Sequence, residues 1–353
     1  MSPSKRVVVT GGAGFIGAAV VRQLAAAGHD VTVLDSLRPD VHRDGGAAAR
    51  GRLTALQVPL VERDVRDLDA VSACVDGADA VVHLAAKVGL GVDLGDMDDY
   101  VSSNDLGTAV LLRACGAGSV RRFIQASSMV VYGEGHYTCS AHGVVPPAPR
   151  TLASLQDKQF EPPCPVCGEP LTAGLVEEPA PLDPRNTYAV SKVAQEHLAG
   201  VWARESGGAA VSLRLHNVYG PGMPRNTPYA GVAAIFSSRL DRGEAPRVFE
   251  DGGQRRDFVH VDDIGSAFLA AVEVAPSTPG HVAYNVGSGV VSTVADMARA
   301  LARARGGPEP VVTGEFRLGD VRHITASSER IAADLDWRAE VGLEGGVRGL
   351  AFD

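Results

Sequence analysis

The chain has 353 residues, 45% of them hydrophobic and 21% charged, enough for one large domain or two unequal lobes because single cores stop growing near ~250–300 residues. That composition excludes a disordered, collagen-like or disulfide-stapled chain. Lys and Arg number 33 against 42 Asp and Glu, a net charge of −9, which argues against nucleic-acid or anionic-membrane partners recruited by a basic field; any phosphate ligand has to be held locally.

Met1 to Arg6 lead directly into Val7, Val8 and Val9 without a signal-peptide apolar region, and no window reaches ~18 uninterrupted apolar residues. A soluble cytoplasmic protein is expected. β-Branched runs then alternate with Ala-rich amphipathic stretches: strands over 6–10, 31–35, 57–61, 79–84, 120–126 and 210–216, helices near 15–27, 67–75, 98–115 and 187–205. Strands alternating with crossover helices predict an α/β fold with a doubly wound, mainly parallel Rossmann-type sheet. Residues 133–183, rich in Pro, Gly and Cys and without a lasting period, read as an insertion. Beyond residue 217 the alternation turns irregular, with short helices near 230–242, 262–274, 292–305 and 327–335, which predicts a smaller mixed lobe. The expected division is 1–216 with its insertion and 217–353, short segments being free to exchange between the two.

The first strand runs into Gly11-Gly12-Ala13-Gly14-Phe15-Ile16-Gly17 and then a helix closed by Gly28. Glycines at 11, 14 and 17 let the backbone turn sharply, approach a pyrophosphate and pack the helix on the sheet. The next strand ends at Asp35, where a carboxylate would accept ribose hydroxyls and repel a 2′-phosphate, so NAD is expected rather than NADP. Tyr188 and Lys192 stand four apart at the start of a helix and share a face. An ammonium there favours phenolate and makes the tyrosine a proton acceptor; a plain surface helix pair is the alternative.

Cys139-Ser-Ala-His142-Gly and Cys164-Pro-Val-Cys167-Gly are two knuckles, each ending in the glycine such a turn needs. Three thiolates and an imidazole make a closed set suited to a structural zinc. A Cys164–Cys167 disulfide is the competing reading, and His136 is a rival fourth ligand. Cys74 and Cys115 sit among apolar residues and read as core thiols.

Together these residues resemble the extended short-chain dehydrogenase/reductases, in their nucleotide-sugar epimerase/dehydratase branch. The resemblance implies an adenine contact at Asp64 and Val65, and cofactor contacts at Leu84, Ala85 and Ala86 after His83 and at Asn104. It implies further that Ser128, in Ala126-Ser-Ser-Met-Val-Val-Tyr132, holds the reacting sugar oxygen with Met129 beside it. Asn217, Arg256 and Arg322 would surround the nucleotide diphosphate and its hydroxyls; on physical grounds both arginines offer planar, permanently charged forks, although either alone would read as a surface charge. Where dehydratases and decarboxylases of this branch carry acids after the hydroxyl residue, this chain has Met129 and Val130, which cannot move a proton.

The resemblance therefore implies C4 epimerisation of a dTDP- or UDP-hexose through a 4-keto intermediate, with Tyr188 as base, Ser128 orienting O4 and Lys192 on the nicotinamide ribose. A 4-ketosugar reductase or dehydrogenase and a dinucleotide-sensing binding protein are the alternatives. The loop 226–231 and the Cys/His insertion are similar to those of dTDP-6-deoxyhexose (rhamnose-type) 4-epimerases, and a homodimer through the helices near 98–115 and 187–205 is expected.

Overall fold

The computed structural model describes residues 3–42, 44–89, 94–225, 231–274 and 278–351. Its strands in chain order are β1 (Arg6–Thr10), β2 (Asp30–Asp35), β3 (Leu60–Glu62), β4 (Ala80–His83) and β5 (Arg122–Ser128). The insertion contributes β6 (Tyr137–Cys139), β7 (Gly143–Val144) and β8 (Thr172–Ala173). The remainder supplies β9 (Ala209–Leu215), β10 (Asn217–Tyr219), β11 (Arg247–Val248), β12 (Arg255–His260), β13 (Gly280–Val286), β14 (Val291–Thr293) and β15 (Val311–Val312).

Seven strands form one parallel sheet in the order β13-β9-β5-β4-β1-β2-β3. Helices cover both faces, so its central strands are buried on both sides: every residue of β4 and β9 is buried, His83, Ser212 and Arg214 included. One face packs Val20, Leu24 and Val33 against Ile264 and Phe268 of the helix Val261–Glu273. The other packs Val71, Leu111, Phe123 and Trp202 beneath the helices Leu68–Val75, Gly107–Ala117 and Thr187–Ser206. Strand order reverses between β1 and β4, and the crevice at the carboxyl ends of those strands is where this architecture takes ligands.

Three local features depart from the sequence reading. A helix, Ala47–Ala55, fills the span between β2 and β3, and it delays the third strand, expected over 57–61, until Leu60. The helix expected over 98–115 is interrupted: Met97–Tyr100 passes into a π-helical turn, Val101–Leu106, before Gly107–Ala117. Gly107 lies so close to Val65 that a Cβ would come within 2.7 Å of it, so the turn is pressed onto the crevice wall. After residue 217 the chain returns to the main sheet through Val261–Glu273 and β13, whose polar and glycine positions hid its strand pattern.

The rest of the C-terminal half packs around Phe236, Met297, Leu301 and Val347. The insertion folds as a small antiparallel sheet, β7-β6-β8, around Tyr137, Cys139, Val145, Cys164 and Leu171. Among the described residues, no helix is long and apolar enough to cross a membrane.

Candidate active site

The glycine turn leaves β1 and opens the helix Phe15–Ala26. Gly11 has φ +71°, and a Cβ there would meet the Ala85 nitrogen at 2.6 Å; at Gly17 a Cβ would meet the Gly11 carbonyl oxygen at 2.2 Å. A side chain at either position is incompatible with the turn. The N-cap, Gly14, has no side-chain cap, so the first N–H groups of the helix stay open to an anion. Gly11, Gly14, Phe15, Ile16 and Gly17 line the crevice.

Asp35 closes β2 on the same crevice, buried, its Oδ2 accepting the Ala13 N–H at 3.0 Å and its Oδ1 that of Leu37 at 2.9 Å. These bonds fix the carboxylate and leave lone pairs for ribose hydroxyls. The facing wall carries Asp64 and Val65, with Leu84, Ala85 and Ala86 following β4. Arg66 grips Asp64 through its backbone N–H and Nε, each at 2.8 Å, and Nη2 at 2.6 Å, which holds that carboxyl below the usual range.

Asn104, expected at the cofactor, is turned to the scaffold. Fully buried in the π-helical turn, it accepts from the Lys87 N–H at 2.7 Å and donates to the Lys87 carbonyl at 3.0 Å and to Ser191 at 2.9 Å. Its amide is used up in fixing the loop after β4. His83 is likewise internal, bridging Thr10 at 2.7 Å and Thr108 at 2.9 Å, and burial drives its pKa down to about 3.

Ser128, Tyr188 and Lys192 meet at the other end of the crevice. The helix Thr187–Ser206 is N-capped by Asn186, which accepts the Ala189 N–H at 2.8 Å and so fixes Tyr188 in the first turn. Ser128 ends β5 and lines the crevice with Tyr188, near enough for its hydroxyl to favour the phenolate. The Lys192 ammonium lies 5.7 Å from the centre of the Tyr188 ring, but it donates to the Ala126 carbonyl at 2.9 Å. Burial pushes the phenol up to about 12 and pulls the ammonium down to about 8. The expected lowering of the tyrosine is therefore corrected for the ligand-free structure: desolvation outweighs a lysine that is occupied elsewhere.

Met129 and Val130 start the 3₁₀ turn after β5; Met129 packs beside Val131 and Tyr132, and no carboxylate takes their place. Asn217 begins β10 with a buried Oδ1 that has no partner among the described residues. Arg256 donates to the carbonyls of Arg255, Arg322 and Val321 at 2.8 to 2.9 Å, and no carboxylate among the described residues pairs with it. Arg322, expected to share that role, is instead locked: its guanidinium reaches Glu161, Glu250 and Asp251 at 2.7 to 2.9 Å. A fork filled by three carboxylates has no donors left for a diphosphate.

Arg150 extends this network, meeting Glu250 at 2.9 Å and the Asp320 carbonyl at 2.7 Å, and His323 meets Glu161 at 2.9 Å. The insertion is thus fastened to the C-terminal lobe by Arg150 and Glu161. Neither is recognisable in the sequence, because nothing local marks residues whose partners lie a hundred positions away. Arg38, Lys87 and His216 on the crevice wall are further residues that the sequence reading does not single out. A histidine closing an apolar strand was the available signal for the last.

Cys139, His142, Cys164 and Cys167 converge, their ligand atoms all within 4.8 Å of one another. Cys139 Sγ is 3.7 Å from Cys167 Sγ and 3.4 Å from His142 Nδ1, which is 3.6 Å from Cys164 Sγ. All five cysteines are free, and His136 stands outside the group. The Ala141 N–H and the His142 ring pull the Cys139 thiol down to about 6. Cys74 and Cys115 pack in the sheet core with thiols raised by burial. Residues 226–230 of the loop compared above lie outside the described residues.

The model of the NAD dependent epimerase/dehydratase family matches residues 7–152 and 165–287. A dTDP-L-rhamnose 4-epimerase of Burkholderia thailandensis is 34% identical over 97% of this chain and 93% of that protein. A UDP-glucose 4-epimerase of Mycolicibacterium smegmatis is 30% identical over 97% and 96%. Among solved structures, the Thermus thermophilus UDP-glucose 4-epimerase in complex with NAD superposes with a TM-score of 0.76 at 30% identity, covering 98% of both chains. The Thermotoga maritima UDP-glucose 4-epimerase with UDP-glucose gives 0.77 at 28% identity over the same shares. With the glycine turn, the acid closing β2 and the Ser128, Tyr188 and Lys192 set in place, the chain belongs to the NAD-dependent epimerase/dehydratase family.

Proposed function

We propose that this protein epimerises a dTDP- or UDP-hexose at C4, using NAD held in the crevice from Gly11 to Lys192. The observation that carries the reading is the convergence of Ser128, Tyr188 and Lys192 on one crevice wall, with Met129 and Val130 after Ser128 in place of acids. NAD, when bound there, supplies the hydride acceptor and donor and a positive ring charge. Tyr188 takes the proton from O4 and returns it after the sugar has turned; Ser128 orients that oxygen. Lys192 anchors the nicotinamide ribose and adds positive charge behind the phenol. Arg256, half-buried and without a carboxylate, holds the diphosphate while the sugar rotates, and the unpaired amide oxygen of Asn217 is an acceptor for a ligand hydroxyl. Residues 217–353 supply most of the nucleotide-sugar lobe. Incubation with a panel of UDP- and dTDP-hexoses without added NAD, read by product stereochemistry, tests this: C4 inversion with recycled cofactor is expected, and a reaction that stalls after one turnover without added cofactor means a reductase or dehydrogenase instead.

The insertion holds one structural zinc in this reading. With Zn–S near ~2.3 Å and Zn–N near ~2.0 Å, a tetrahedron has edges of about 3.8 Å between sulfurs and about 3.5 Å between sulfur and nitrogen, close to the Cys139–Cys167, Cys139–His142 and His142–Cys164 spacings. Three thiolates persist in a reducing compartment, which favours the cytoplasm. Exposed Leu94, Met97, Val101, Leu106 and Val190 on neighbouring helices support a homodimer burying that face.

A further inference from the structure

His216 has no part in the chemistry above, yet the site presents it. It follows Leu215, which is paired with Ser128 across β9 and β5, so the imidazole stands at the carboxyl edge of the sheet one strand from the hydroxyl that orients O4. The residue is 4% exposed and lines the crevice with Ser128, Tyr188 and Lys192. Neither ring nitrogen has a hydrogen-bond partner among the described residues. Buried polar groups without partners are costly and few, so a pair on one ring facing a ligand crevice points to the ligand.

The topology says which part of the ligand. Asp35 closes β2, four strands from β9, or about 19 Å at ~4.8 Å per strand. The adenosine end belongs there and the glycine turn lies beside it, so β9 stands beyond the reacting centre, toward Arg256. Burial and the Arg256 charge keep the imidazole neutral against the opposing pull of Asp257. A neutral imidazole has one donor and one acceptor, the complement of a hydroxyl; a phosphate oxygen would leave the acceptor unfilled.

Building on the nucleotide-sugar reading above, we propose that His216 hydrogen-bonds a hydroxyl of the hexosyl group and selects for hexoses that carry it. The test reads binding rather than turnover, so a chain that proves not to epimerise still reports on it. NAD-loaded wild type and His216→Phe are titrated calorimetrically with UDP, dTDP, UDP-glucose and dTDP-glucose. The wild type should bind a nucleotide-hexose more tightly than its parent diphosphate. His216→Phe should lose about ten- to a hundred-fold of nucleotide-hexose affinity, keep diphosphate affinity within about two-fold and retain NAD. His216→Asn, which keeps a donor and an acceptor, should recover part of the loss. Should the Phe variant not fold, His216→Leu carries the same comparison. Equal losses for diphosphate and nucleotide-hexose, loss of NAD from the folded variants, no change in sugar affinity, or a wild type that gains nothing from the sugar would each overturn the proposal.

Discussion

At the dinucleotide crevice, the polar groups that face the cleft are aimed by strands and helices rooted in two large cores, whereas the small sheet of residues 133–183 has a core cluster of five buried hydrophobic residues, two of them cysteines. The crevice can therefore hold open lone pairs and N–H groups in place without a ligand. The insertion cannot rely on burial, since fixing each residue costs roughly 1–2 kcal/mol of backbone entropy that so small a core does not offset. It relies on a Cys/His cluster at one end and on buried ion pairs to the C-terminal lobe at the other. Geometry set by burial survives the loss of a polar group; geometry set by charge does not.

The largest effect expected is at the crevice. Tyr188→Phe should lower turnover by about 10²–10⁴ while cofactor and nucleotide affinities stay near native, because in the proposed mechanism the hydroxyl moves a proton and the phenylalanine ring keeps the packing. A near-native rate would remove Tyr188 from the mechanism. On the other side of the comparison, chelation or Cys164→Ser should release one zinc per chain by elemental analysis and expose residues near 134–181 to protease without melting the parallel sheet. Turnover should fall while NAD affinity holds; metal-free protein with full activity and a protected insertion would show that charge alone fastens it. Asp35→Ser should weaken NAD by about ten- to a hundred-fold and narrow its advantage over NADP, as read by calorimetry; tighter NADP than NAD in the wild type would end that assignment.

The smallest effect concerns Lys192, whose pKa falls from 10.5 to about 8 on burial. Between those values the unfolded chain holds a proton that the folded one has released, so stability gains with rising pH across that window. Below pH ~8 the folded protein bears a buried ammonium at a cost, and ligand-free Lys192→Met should melt higher than wild type there. The difference should close as the pH passes about 10.5, and a variant equally stabilised at both ends would show that charge is not the cause.

What could be read from sequence follows the same division. β1, the glycine turn, its helix and Asp35 are contiguous and periodic, and Tyr188 and Lys192 share one helix face, so each was legible from local pattern. The knuckle spacing was legible for the same reason. The role of Asn104 was not, because a π-helical turn rotates it into the scaffold. Nor was the capture of Arg322, which depends on Glu161 reaching across from the insertion. The Tyr188 pKa was misjudged because spacing reports which groups are near and says nothing of how much water they have lost.

The two ends of the insertion meet. The Asp183 N–H donates to the Val131 carbonyl at 2.8 Å, and Gly133, at φ +61°, passes so close that a Cβ would stand 2.4 Å from the Asp183 carbonyl oxygen. Entry and exit thus share one doorway between β5 and the helix Thr187–Ser206. A segment with that anatomy is a closed side loop of the chain: its two ends stay pinned to each other whatever happens to its interior, so cleavage within it should leave the frame of Ser128 and Tyr188 on either side in place.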